Sequence, residues 1–329
     1  MTSKDRCLAA MAGKACDRTP VTPIVMAWGA RHIGRTYREF YLDADVLVEA
    51  NLALVRDFGV DQVSAISDPW RESSAYGMEF DYPPDGVGVP RDRLIHSRDD
   101  VRRLGPLDFD ACERTRDRID AVGKLAAALG QTHSVLGWVE GPVAQYADLR
   151  GVERTMTDLV DDPGLFAEAA EIITANALQF ARRQIAAGAD TVGVGDAVAS
   201  LIGPELYREW VLEWHKKLFD GIHDAGGLVK LHICGNINAI LADAAATGAD
   251  VIDLDWMVPV AAAREAVGPG VCLCGNFDPV AVLFQGSPQD VADAARQCVA
   301  EGGERFILQP GCEIPVGTPV ENMRAFCPG

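Results

Sequence analysis

Residues 203–236 read GPELYREWVLEWHKKLFDGIHDAGGLVKLHICGN. Apolar side chains return at helical spacing from Pro204 to Ala225, behind a Gly203-Pro204 start in which proline's missing N–H costs nothing. Two glycines follow, then a short apolar run, Leu228–Ile233, ended by Gly235-Asn236. A helix of that length feeding a short buried strand is the unit of a parallel sheet.

The same alternation extends in both directions. Candidate strands are Pro23–Ala27, Asp61–Ile66, Ser134–Val139, Thr191–Val194, Leu228–Ile233, Val251–Leu254, Val271–Cys274 and Phe306–Leu308. Helical patterns fill most gaps: Asp45–Phe58, Gly164–Ala187, Pro204–Ala225, Ile237–Thr247, Pro288–Glu301 and Pro319–Phe326. Ser287-Pro288 pairs a cap with proline at the first helical position, Thr318-Pro-Val-Glu321 has the form of a capping box, and glycine precedes both Asp190 and Asp250 at helix ends. About eight strands, with no G-x-G-x-x-G after the first, favour an α/β fold of the TIM-like (β/α)8 barrel type over a doubly wound sheet. The expected organisation is a single barrel domain over residues 1–329 with an N-terminal extension of about 20 residues.

Composition excludes several partners. Asp plus Glu number 48 against 30 Lys plus Arg, a formal charge of −18, and that field repels nucleic acid and anionic lipid. The opening MTSKDRCLAAMAGKACDRTP lacks an apolar core of signal-peptide length, and no apolar run spans a bilayer, so a cytoplasmic location is expected. Nine cysteines without the tight spacing of a secreted scaffold leave core residues, metal ligands and nucleophiles as their roles.

In a parallel barrel, chemistry gathers on the loops beyond the C-terminal strand ends. His232 and Cys234 stand at such an end, and residues i and i+2 of a strand share a face. Imidazole and thiolate are zinc ligands, and three protein ligands with one open position mark catalytic zinc. Cys312, 78 residues beyond Cys234, is the leading third ligand, with Cys272 and Cys274 as competitors. On spacing alone, buried core residues and a metal site both stand.

HICGNINAIL, GNFDPVAVLFQGSPQDV, GCEIPVGTPVENMRAF and the 203–236 stretch resemble the uroporphyrinogen decarboxylase superfamily, from about residue 5 to the C-terminus. The resemblance implies a distorted (β/α)8 barrel. Decarboxylases of that superfamily carry a glycine-histidine-glycine type motif where this chain has Gly311-Cys312-Glu313. The cobamide-dependent methyltransferase branch instead carries H-x-C and a single late cysteine that bind zinc, which implies Zn2+ on His232, Cys234 and Cys312. The implied activity moves a methyl group between a small molecule (a thiol, or a methyl ether or amine) and the cobalt of a corrinoid such as methylcobalamin. The D-x-H-x-x-G pattern of corrinoid modules is absent, so a separate corrinoid protein is the implied partner. A metal-free decarboxylase and a non-catalytic thiol- or corrinoid-binding protein are the alternatives.

Further candidates follow. Arg31-His32-Ile33-Gly34-Arg35 resembles the loop that grips porphyrin carboxylates, so Arg31 and Arg35 are expected to bind a substrate carboxylate, a corrinoid side chain or a carboxylate of the chain itself. Asp68 and Asn276 follow strands as substrate contacts, Asn276 with helix capping as its other role. Glu140 is a general acid/base or a structural ion-pair partner; Asp196 either orients His232 or touches substrate. Trp28, Trp70, Trp138 and Trp256 offer an aromatic wall or core packing.

Overall fold

The computed structural model describes residues 1–327. Seven parallel strands form one curved sheet in chain order: β1 (Gln62–Ser64), β2 (Ser134–Glu140), β3 (Thr191–Gly195), β4 (Leu228–Ile233), β5 (Val251–Leu254), β6 (Cys272–Phe277) and β7 (Phe306–Pro310). Their side chains are buried nearly throughout, as expected of strands covered on both faces.

The circle closes through a segment too short to be a strand. Val21 makes a single parallel bridge to Leu308, with Thr22 N donating to Leu308 O (3.1 Å) and Leu308 N to Pro20 O (2.9 Å). On its other side Asp61 N donates to Val21 O at 2.8 Å. This eighth stave lies N-terminal to the expected strand Pro23–Ala27. Pro23 has no N–H with which to continue a ladder, and a helix, Ala27–His32, begins where the strand was expected to end.

Most expected helices form near their predicted bounds, among them Ala44–Phe58, Pro163–Ala187 and Pro288–Gly302. Ser287 and Asp290 make a complete capping box, and Gly188 closes its helix at φ 118°, a conformation only glycine adopts cheaply. Two expectations are corrected. Of Ile237–Thr247 only Leu241–Ala245 is α-helical, because Asn236 turns the chain by accepting from Asn238 N at 3.1 Å. Thr318 does not cap the last helix: its hydroxyl is buried without a partner, and the helix starts at Val320.

The helix Ser3–Met11 stops the N-terminal end of the barrel, packing Cys7, Ala10 and Met11 against Val251, Cys272, Cys274 and Ile307. The opposite end, where the strands finish, is open. Among the described residues no helix is long and apolar enough to cross a membrane.

Candidate metal centre at the barrel mouth

Alternation along β4 puts Lys230 and His232 on one face, and Cys234, just past the strand, continues it. The His232 Nε2 lies 3.0 Å from the Cys234 sulfur. Cys312 follows β7 and brings its sulfur to 3.8 Å from that of Cys234. The approach needs Gly311, where a Cβ would stand 2.3 Å from the backbone nitrogen of Trp256. The three ligand atoms all lie within 4.8 Å of one another.

His232 is 5% exposed, and its Nδ1 faces Asp253 Oδ2 at 3.1 Å. Register makes this pair, since His232 on β4 stands opposite Asp253 on β5. Asp253 also meets Lys230 Nζ at 3.2 Å and accepts a hydrogen bond from Gln309 Nε2, whose Oε1 accepts from Lys230 at 2.7 Å. Burial opposes ionisation of Asp253, but Lys230 and His232 hold its carboxyl below the usual range. The carboxylate leaves Nε2 of His232 as the nitrogen directed toward the sulfurs, an arrangement typical of metal-binding histidine. The hydrogen bond from Cys234 pulls the Cys312 thiol down to about 5, so one sulfur of the pair is readily a thiolate.

The donor set suits zinc. Tetrahedral zinc with bonds near 2.3 Å separates two thiolates by about 3.8 Å, and the observed Cys234–Cys312 separation is 3.8 Å. Two sulfurs and one nitrogen leave one corner for substrate. Cys272 and Cys274 are not in this cluster. They are fully buried at the other end of the barrel, and burial pushes the Cys274 thiol up to about 12.

A cavity of about 280 Å³ opens onto the triad. Of the other expected site residues, Glu140, Asp68 and Trp138 line it. Glu140, 7% exposed, accepts from Trp138 Nε1 at 3.0 Å through Oε1; burial, and then Glu72, raise its carboxyl well above the ordinary value. Asp68 is tied to Ser67 Oγ (3.0 Å), Trp70 N (3.3 Å) and Arg114.

The remaining candidates lie elsewhere. Asp196 does not reach the His232 ring. It accepts from His215 Nε2 (2.8 Å) and from Val143 N and Ala144 N (3.2 and 2.7 Å), binding the end of β3 to the first turn of the helix Pro142–Arg150. Arg31 bonds the Val316 carbonyl at 3.4 Å and Arg35 pairs with Glu39 at 3.4 Å, so each guanidinium finds a partner within the chain and neither lines the cavity. Asn276 spends its amide on the carbonyls of Asp255 (3.1 Å) and Val258. Trp28 and Trp70 are core residues donating to the carbonyls of Thr318 and Gly88, whereas Trp256 is 46% exposed.

Sequence reasoning missed Asp253, Tyr37 and Glu313, the last two of which line the cavity. Asp253 carried a signal, a carboxylate inside the apolar run VIDL, the next expected strand after the one whose run LVKLHI holds a lysine. Tyr37 carried none, since it belongs to a helix far upstream.

The family model described as Uroporphyrinogen decarboxylase (URO-D) matches residues 2–328. The methylcobamide:CoM methyltransferase MtaA of Methanosarcina barkeri is 28% identical over 347 residues, covering 99% of this chain and 96% of that protein. A uroporphyrinogen decarboxylase of Nocardia farcinica is 33% identical over 321 residues, covering 91% and 86%. Among solved structures, a methyltransferase from Methanosarcina mazei superposes with a TM-score of 0.86 at 23% identity, covering 99% of this chain and 97% of that one.

Proposed function

Because the chain belongs to the uroporphyrinogen decarboxylase family, we propose that it is a zinc-dependent methyltransferase of the cobamide-dependent branch, exchanging a methyl group between a small molecule and the cobalt of a corrinoid protein. Cys312 carries the proposal. It stands where the family's decarboxylases are expected to keep a histidine, and its sulfur meets the sulfur of Cys234 and the Nε2 of His232 at distances suited to one zinc ion. The relative named methylcobamide:CoM methyltransferase, matched over nearly the whole of both chains, supports the same reading.

Each residue has a definable part. His232 Nε2 and the sulfurs of Cys234 and Cys312 hold the ion. Asp253 keeps Nδ1 of His232 occupied so that Nε2 faces the sulfurs, and Lys230 with Gln309 keeps Asp253 ionised and in place. Zinc so held supplies a Lewis acid at its open corner for a substrate heteroatom, thiol or ether. A cavity of about 280 Å³ suits a small molecule better than a corrin ring, which supports presentation of the cobalt at the mouth, by a separate corrinoid protein in this reading. The reading is of a cytoplasmic, single-domain enzyme.

Decarboxylase relatives of similar identity make a metal-free decarboxylase the competing reading. Measurement of zinc content together with methyl transfer to and from a corrinoid, for wild type beside Cys312→Ala, separates the two. About one zinc per chain, lost with activity in Cys312→Ala, is expected; full activity in a zinc-free variant would overturn the proposal.

A further inference from the structure

The cavity above the triad has an electrostatic character that bears on its substrate. Three carboxyl groups line it, those of Asp68, Glu140 and Glu313, and no lysine or arginine does among the described residues. Asp68 is already neutralised from behind, by Arg114 and, at 4.0 Å, Arg71. The cations behind the wall do not reach around it. Arg71 and Arg118 are completely buried and turned to protein partners, Arg71 to Asp117, the Arg114 carbonyl and Ser67 Oγ, Arg118 to the Trp138 and Asp68 carbonyls. Arg31 and Arg35, the residues expected to grip a carboxylate, are engaged outside the cavity.

Glu140 differs from Asp68. It is more than nine-tenths buried, Oε1 accepts from the indole of Trp138, and Oε2 has no partner among the described residues in a wall facing the cavity. The Trp138 ring and the Tyr37 ring also line the cavity, surfaces that attract a cation and tolerate an uncharged group. An anion entering here meets carboxyl groups and ring faces with no counter-charge, and burying an unpaired charge is costly.

We propose that this cavity selects uncharged or cationic methyl-group substrates and rejects anionic ones, with Glu140 Oε2 contacting the substrate's polar group. The inference rests on the metal-site reading and adds to it the charge class of the small molecule. It separates this chain from any relative whose cavity is built to hold a substrate anion.

The test uses three small thiols of similar size and different charge: 2-mercaptoethanol, cysteamine and 3-mercaptopropionate. Their binding to the zinc-loaded protein is measured by calorimetry, and affinities are compared per thiolate. The neutral and cationic thiols should bind about tenfold or more tightly than the anionic one. Glu140→Gln, which has no proton to release when an ammonium docks against Oε2, should weaken cysteamine about tenfold while leaving 3-mercaptopropionate unchanged or improved. Equal or tighter binding of 3-mercaptopropionate in wild type overturns the proposal, as does an unaltered ranking in Glu140→Gln. Zinc content of the same sample keeps the two readings apart. A protein without zinc breaks the metal assignment, and the ranking of the three compounds on that protein still decides the charge preference.

Discussion

The two ends of the barrel hold cysteines with opposite fates, three at the stopped end and two at the open one. At the stopped end, Cys7, Cys272 and Cys274 pack with Ala10, Met11, Val251 and Ile307 as small hydrophobes, and burial drives all three thiols upward. At the open end, Cys234 and Cys312 face each other beside an imidazole, and the Cys312 thiol is drawn down. The residue type is the same and both groups are largely shielded from water. What differs is the company: a histidine oriented by a buried carboxylate, a second sulfur at ligand distance, and a cavity from which a fourth ligand can enter. A cysteine becomes a ligand by virtue of its neighbours rather than its burial.

That contrast can be broken most directly at Cys312. Cys312→Ala should weaken zinc binding by more than about a hundredfold, read by competition with a chromogenic chelator, while circular dichroism stays that of the wild type. Asp253→Asn should weaken zinc about tenfold or more without removing a ligand. It should also lower the unfolding midpoint, because Lys230 loses its counter-charge inside the barrel. Lower stability with unaltered zinc affinity would mean that Asp253 serves Lys230 alone. At the stopped end, Cys272→Ala should do the reverse, costing about 1 kcal/mol in denaturant unfolding and leaving zinc content untouched.

The smallest effect concerns Glu140. Its folded carboxyl is raised well above 4.5, first by burial and then by Glu72, so the folded chain keeps a proton that the unfolded chain releases. The stability that goes with that proton is intact below about 4.5 and declines as pH rises beyond it. Glu140→Gln mimics the protonated form. Its unfolding midpoint should therefore gain on the wild type between pH 5.5 and pH 8, by about a few degrees. A constant difference across that range would show that Glu140 is ionised in the folded chain. The destabilisation is the expected cost of keeping a carboxyl group in a binding cavity.

Much of this molecule was legible in one dimension. Strands from Gln62 to Pro310 begin within a residue of the apolar runs that announced them and end within two, except that β6 runs three residues further, to Phe277; the first expected strand does not form, because Pro23 ends an extended segment before it can pair. The pairing of His232 with Cys234 was legible because both lie on one local stretch with a period of two. Asp196 and Asp253 were not distinguishable in the same way. Both are carboxylates near strand ends flanking β4, and both are completely buried. Only register sets Asp253 opposite His232, whereas Asp196, on the other flank, turns to His215 and a helix N-terminus.

By itself, then, the sequence determined the alternation of strand and helix, the closed parallel architecture that alternation demands, and the identity of the side chains able to hold a metal. These follow from periodicity and donor chemistry, which are properties of neighbours along the chain. Tertiary structure decided that Cys312 rather than Cys272 or Cys274 stands beside Cys234, that Asp253 orients the histidine, and that the cavity wall presents carboxyl groups without a cation. Those relations join residues far apart in the chain, and only strand order, register and the curvature of the closed sheet bring them within a few ångströms.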